Sequence, residues 1–244
     1  MDIKHRLGLS KATLLSDPLP YRQLIGKLIY LTITRPDLAY PIHILSQFMQ
    51  SPTIDHMQAA RRVLRYVKNA SAQGLFYSSN ATLQLAAYCD ADWGACPVTQ
   101  KSITGYCITL GTGVISWKTK KQHVVSRSSA ESEYRSMANA CCEIVWLRRL
   151  LIDMGLHIDG SIPLYCDNSA AIHISRNPVY HKRTKHIELD CHFIRQQVSS
   201  QLIIPIHIST TDQPADMFTK ALTGDRLLSI CRKLKISNFL HAPV

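Results

Sequence analysis

The residues best suited to chemistry are acids standing where apolar segments stop. Asp90 and Asp92 close the run Leu85-Ala-Ala-Tyr-Cys-Asp-Ala-Asp, and Asp167 closes Pro163-Leu-Tyr-Cys-Asp, so the triplet Tyr-Cys-Asp occurs twice. Glu131 and Glu133 fall in the first turns of a segment with helical spacing, and Asp216 opens another. Carboxylates held close repel each other, which raises their pKa values. Divalent cations relieve that repulsion, and hard oxygen donors suit Mg²⁺ or Mn²⁺. Two such ions about 4 Å apart can activate water and stabilise the leaving oxygen of an in-line phosphodiester displacement. A single Asp after a strand is more often a turn former or helix cap. Several acids at matching ends of elements are what point to a metal site. Spacing does not choose between Glu131 and Glu133, which point in different directions two residues apart; Glu131 lies nearer the apolar face.

The elements that must position these acids divide the chain by texture. Residues 1–82 read as mostly helical, with breaks near Pro36 and Pro41. Within them "TIDHMQAARRVLRYVKNA" predicts one amphipathic helix, capped by Thr53 or Asp55. Its expected buried face is Ala59, Val63, Leu64 and Val67, and its basic face is Arg61, Arg62, Arg65 and Lys68. Residues 83–224 alternate strand and helix signals. "LQLAAYCD" and two further strands punctuated by Gly105, Gly111 and Gly113 form a meander. A long helix follows, with Ser128 or Ser129 as N-cap and Gly155 beyond its end. The order is β-β-β-α-β-α-α-β-α, a mixed α/β sheet with Asp90 and Asp167 on candidate neighbouring strands. "QPADMFTKAL" is expected to be the last helix, and residues 225–244 a ragged tail.

Lys and Arg total 28 against 17 Asp and Glu, a formal charge of +11. Such an excess favours a polyanion, nucleic acid above all, over a small neutral substrate. Candidate phosphate contacts are Lys118, Lys120, Lys121, Arg127, Lys182, Arg183 and Lys185. None of the eight cysteines forms a Cys-x-x-Cys pair, so zinc or disulfide frameworks are not indicated. A reducing intracellular compartment, cytoplasm or nucleus, is the expectation. No stretch is apolar enough to span a membrane, and the first residues lack a secretory apolar core.

The words "LIYLTITRPDLAY", "AARRVLRYVK", "YCDADWGACPVTQKSITGYCITLG", "ISWKTKKQHVVSRSSAESEY", "LYCDNSAAI", "RTKHIELDCHFIR" and "STTDQPADMFTKAL" together carry a resemblance. The chain resembles the C-terminal part of copia-type retrotransposon Pol polyproteins, where reverse transcriptase runs into ribonuclease H. The resemblance implies a ribonuclease H-like five-stranded mixed sheet flanked by helices. It also implies metal-dependent cleavage of the RNA strand of RNA–DNA hybrids, with two Mg²⁺ ions as cofactor and Mn²⁺ as a substitute.

Carried over residue by residue, the resemblance makes Asp90, Glu133, Asp167 and Asp216 both the catalytic set and the metal ligands. Glu133 is chosen over Glu131 only by that match, and Asp92 is read as a structural turn residue. His186, beside Arg183 and Lys185, would contact phosphate or pack a helix, while His207 on a strand would be packed. Val98 stands where the family usually has an acid, away from the metal positions. Residues 1–82 look like the thumb or connection end of a reverse transcriptase. No adjacent Asp-Asp pair exists for a polymerase palm, so no polymerase activity is expected of this chain. The partners implied are an RNA–DNA hybrid and the rest of the reverse transcriptase. The alternative is a truncated, catalytically silent nucleic-acid-binding relic of the same element.

Overall fold

The computed structural model describes residues 7–177 and 187–238. Three helices come first: α1 (Leu19–Leu31), α2 (Ala39–Ser46) and α3 (Ile54–Asn69). Pro36 starts a short 3-10 turn, and Pro41 lies in the first turn of α2, where its missing N–H breaks no helical bond. Thr53 caps α3 in a reciprocal box with His56. The buried face of α3 is His56, Ala60 and Val63, whereas Leu64 is exposed. Of the expected stripe, Val63 is buried and Ala59 and Val67 pack against the same core; only Leu64 faces solvent, and Ala60 takes its place against Tyr21, Ile25 and Leu45.

Strand β1 (Gln73–Leu75) closes this segment. The sheet then follows as β2 (Leu85–Asp92), β3 (Ile103–Leu110) and β4 (Gly113–Lys121), an antiparallel meander. Helix α4 (Ser129–Asp153) is capped by Ser128, and Gly155 beyond its end takes a positive φ of 79°. After it come β5 (Ile162–Cys166), α5 (Ser169–Arg176), α6 (Glu188–Ser199) and β6 (Ile203–His207). The spatial order is β4-β3-β2-β5-β6, with β5 parallel to both β2 and β6. This is the five-stranded mixed sheet flanked by helices that characterises the ribonuclease H-like fold.

Each face of the sheet has its own core. On one face α4, α5 and α6 bury Tyr134, Met137, Ile144, Ile172 and Ile194 against Cys89, Tyr106, Ile108 and Leu164. On the other, Met217, Phe218, Ile230 and Cys231 cover Cys107 and Val114. The helical segment joins that second face through Tyr40 and Ile44 on Ile103, and Trp117 Nε1 donates to the Thr32 carbonyl at 3.0 Å.

Three departures from the sequence reading matter. Strand β2 does not stop at Asp90, because β3 still pairs with it at Ala91 and Asp92. Asp216 does not open a regular helix; it is the third residue of a five-residue 3-10 turn, Pro214–Phe218. Residues 224–238 are not ragged: they form α7 (Gly224–Lys233) and β7 (Ile236–Asn238), and β7 pairs antiparallel with β1. Buried Ile230, Cys231, Leu234 and Ile236 supply the apolar reason for that return.

Candidate metal centre and nucleic-acid surface

The repeated triplet is a matter of register. Tyr88 of β2 lies opposite Tyr165 of β5, with ring centroids 4.8 Å apart and stacked. Two residues further along each parallel strand, Asp90 and Asp167 emerge side by side at the same rim of the sheet. The apolar lead-in is what fixes them: Cys89 and Cys166 are fully buried in the core beneath. Rigid central strands thus hold two carboxylates together.

Glu133 arrives from the second turn of α4 and is 5% exposed. Its Oε1 accepts from the Ala91 N–H at 3.1 Å, and its Oε2 from the Cys166 thiol at 3.7 Å. Possible ligand atoms of Glu133, Cys166 and Asp167 all lie within 4.8 Å of one another. Burial, then the charges of Asp90, Cys166 and Asp167, drive the Glu133 pKa far above the ordinary carboxylate range. Asp90, 2% exposed, is pushed up to about 6 by burial; Lys220 and Thr219 counter that, and Asp216 and Asp167 add to it.

Asp216 comes from the opposite side of the sheet. Its turn is held down by Gln213, whose buried amide donates to the Cys89 carbonyl at 2.9 Å and whose oxygen caps Ala215 N–H at 3.2 Å. Lys220 Nζ lies 2.8 Å from Asp216 Oδ1 and 3.7 Å from Asp90 Oδ2. Arg226 reaches Asp216 Oδ2 at 3.3 Å, and the Thr219 hydroxyl donates to Asp90. Asp167, half-buried, accepts from Thr210 at 2.8 Å.

The four acids therefore converge, and they are short of positive charge. Two are buried with raised proton affinity, and an ammonium already sits between two of them. All supply hard oxygen, so the set fits Mg²⁺ or Mn²⁺, and Asp90, Glu133, Asp167 and Asp216 are the residues that would hold such ions. Glu131 does not join them. Its Oε2 accepts from Arg127 N–H at 2.8 Å and its Oε1 pairs with Arg135 at 3.1 Å, which spends it on the start of α4. Asp92 shares a strand face with Asp90 one pairing step further out. Burial raises its pKa, moderated by Lys220, and it stands beside the cluster rather than in it.

Sequence reasoning missed the parts that place Asp216: Gln213, Thr219, Lys220 and Gly105. A Cβ on Gly105 would lie 2.6 Å from Thr219 Cγ2 and 2.7 Å from Phe218 Cβ. Gly105 faces Asp90 across the β2–β3 pair, so glycine there lets the turn press onto the strand. Gly105→Ala is expected to lift that turn, costing about 1–3 kcal/mol. Thermal unfolding should show that loss together with weaker Mn²⁺ binding; a variant unchanged in both would show the close approach to be unimportant.

Of the proposed phosphate contacts, Lys118, Lys120 and Arg127 are exposed, the two lysines on one face of β4. Lys121 is engaged with Gln47 at 3.1 Å and Cys96 at 3.0 Å. Lys182, Arg183, Lys185 and His186 lie outside the described residues. His207 is exposed, not packed, at the end of β6 opposite Cys166. No described helix is long and apolar enough to cross a membrane.

A ribonuclease H-like sheet with acids from two strands, one helix and one turn meeting at its rim defines the class. No family model matches the chain. It is 44% identical over 232 residues to the retrovirus-related Pol polyprotein from transposon RE1 of Arabidopsis thaliana, covering 95% of this chain and 16% of that protein. With the corresponding polyprotein of transposon TNT 1-94 from Nicotiana tabacum it shares 36% identity, covering 88% and 16%. Nearly the whole chain is thus similar to a part of the retrovirus-related Pol polyproteins of transposons, and it spans about a sixth of their length. Among solved structures, LC11-RNase H1 in complex with RNA/DNA hybrid matches 56% of this chain and 94% of its own at 14% identity, TM-score 0.43. A foamy viral protease-reverse transcriptase with double-stranded DNA matches 82% of this chain and 33% of its own at 9% identity, TM-score 0.45.

Proposed function

We propose that this chain cleaves the RNA strand of RNA–DNA hybrids in a reaction that depends on divalent ions. The observation that supports it most is the in-register Tyr-Cys-Asp repeat, which brings Asp90 and Asp167 together beside Glu133, with Asp216 closing the set. When bound, Mg²⁺ or Mn²⁺ would supply charge for water activation and for the leaving oxygen. The protein's own part is placement. Central strands fix Asp90 and Asp167, the Ala91 N–H and Cys166 thiol orient Glu133, and Gln213 and Arg226 seat Asp216. Asp90, Glu133, Asp167 and Asp216 are the catalytic residues in this reading.

Lys118, Lys120 and Arg127 would grip phosphates, and the exposed Arg61, Arg65 and Lys68 of α3 would extend the grip. Residues 1–82, with their own core around Tyr21, Ile25, Leu38 and Leu45, would serve as a separate unit that helps seat the hybrid.

The direct test is the purified chain with a labelled RNA–DNA hybrid, with Mg²⁺ or with a chelator. Cleavage of the RNA strand in the hybrid, but not of free RNA, is the expected result. No Mg²⁺- or Mn²⁺-dependent cleavage of any hybrid would overturn the reading. Binding should be phosphate-driven: with about four phosphate contacts, affinity should fall roughly a hundredfold between 50 and 200 mM salt. A salt-independent dissociation constant from anisotropy titrations would remove the basic surface from the argument.

A further inference from the structure

Lys220 is an unusual neighbour for a metal site, because its charge is the one the metal would bring. Its side chain is only 35% exposed, and its ammonium lies 2.8 Å from Asp216 Oδ1 and 3.7 Å from Asp90 Oδ2. Asp216 already has a second cation in Arg226. That guanidinium is pinned by the carbonyls of Thr210, at 2.9 Å, and of Thr211 and Gln213. Arg226 is thus part of the scaffold that holds the turn. Lys220 is held differently: its ammonium pairs with the carboxylates of Asp216 and Asp90.

The two cations also differ in what they obstruct. A divalent ion held by Asp216 Oδ1 would compete for that oxygen with the Lys220 ammonium, which lies 2.8 Å from it. Two positive groups a few ångströms apart in a half-buried setting repel strongly. An ion shared by Asp90 and Asp216 and the present Lys220 position therefore exclude each other. There is room for the side chain to leave. Lys220, Met217, Ala221 and Leu222 form one wall of a cavity of about 710 Å³ that runs to α3, where Asp55 and Tyr66 lie on the far side.

We propose that Lys220 is a built-in counter-cation: it neutralises Asp90 and Asp216 while the site lacks metal, and it must swing out for an ion to bind there. This rests on the metal-site reading above and adds a displacement step to it. The consequence is a threshold. Metal binding is weaker than the acids alone would allow, and the site stays folded without metal.

Two measurements test this. Calorimetric titration with Mn²⁺ should show K220M binding at least about tenfold more tightly than the wild type, with K220R staying near the wild type. Without metal, K220M should melt at a lower temperature than the wild type, and Mn²⁺ should restore most of the difference. The second measurement uses the unaltered chain: amine acylation followed by mass spectrometry should show Lys220 labelled faster with Mn²⁺ than without. Mn²⁺ binding of equal or lower affinity in K220M, or Lys220 labelling unchanged by bound Mn²⁺, would overturn the displacement and leave the metal site standing. Failure of both proteins to bind Mn²⁺ would instead overturn the metal site, and this inference with it.

Discussion

Asp167→Asn is expected to lower cleavage of an RNA–DNA hybrid by roughly a hundredfold or more, while the hybrid still binds. The substitution keeps the shape of the side chain, and its amide oxygen can still accept from Thr210, as the carboxylate does at 2.8 Å. What disappears is one negative charge next to Glu133, in the cluster whose ligand atoms lie within 4.8 Å. The candidate phosphate contacts Lys118, Lys120 and Arg127 lie on β4 and before α4, so affinity should hold or rise as anionic repulsion drops. Asp92→Asn is the control. It removes a charge from the same neighbourhood, one pairing step outside the cluster, and should leave most of the activity. Single-turnover rates and dissociation constants for both variants decide it: full activity in Asp167→Asn, or loss confined to Asp92→Asn, removes Asp167 from the catalytic set.

How much of this was legible beforehand depends on which interactions are local. Strands β2 to β4, the Ser128 cap and the Asp90–Asp167 pairing follow from alternation, turn residues and a repeated triplet, all visible along the chain. The 3-10 turn at Pro214–Phe218 was misread as helix because its shape is set by Gly105, more than a hundred residues away, and by Gln213 reaching Cys89. The end of β2 was misplaced because only β3 continues past Asp90. Likewise the return of β7 to β1 joins segments more than 160 residues apart, from Leu75↔Ile236 to Gln73↔Asn238, a pairing that no local pattern announces. Lys220 shows the same limit. Its residue type suggests a phosphate contact, and only the fold turns it onto Asp90 and Asp216.

The choice between Glu131 and Glu133 is where the sequence held a signal that went unused. Ser128 and Glu131 have the Ser-x-x-Glu spacing of a capping box, and Glu131 does work at the helix start: the Ser128 hydroxyl accepts from Glu131 N–H at 3.2 Å, and Glu131 takes up Arg127 N–H and Arg135. Glu131→Gln should therefore cost about 1 kcal/mol of stability and leave hybrid cleavage largely intact. Glu133→Gln should do the reverse. Its amide oxygen can keep the Ala91 contact, but the charge that would hold metal is gone, and cleavage should fall by roughly a hundredfold or more. Stability should move the other way with pH. Burial raises the folded-state pKa of Glu133 above its unfolded value, so its contribution is fully present below the ordinary glutamate range. It is lost progressively as pH rises from there toward the raised folded value. Without metal at pH 8 the acid thus weighs against folding, and Glu133→Gln, which cannot ionise, should melt higher than the wild type; near pH 4 the two should converge. Melting curves at both pH values with cleavage rates for each variant separate the roles, and a dead Glu131→Gln beside an active Glu133→Gln would assign the metal to the other acid.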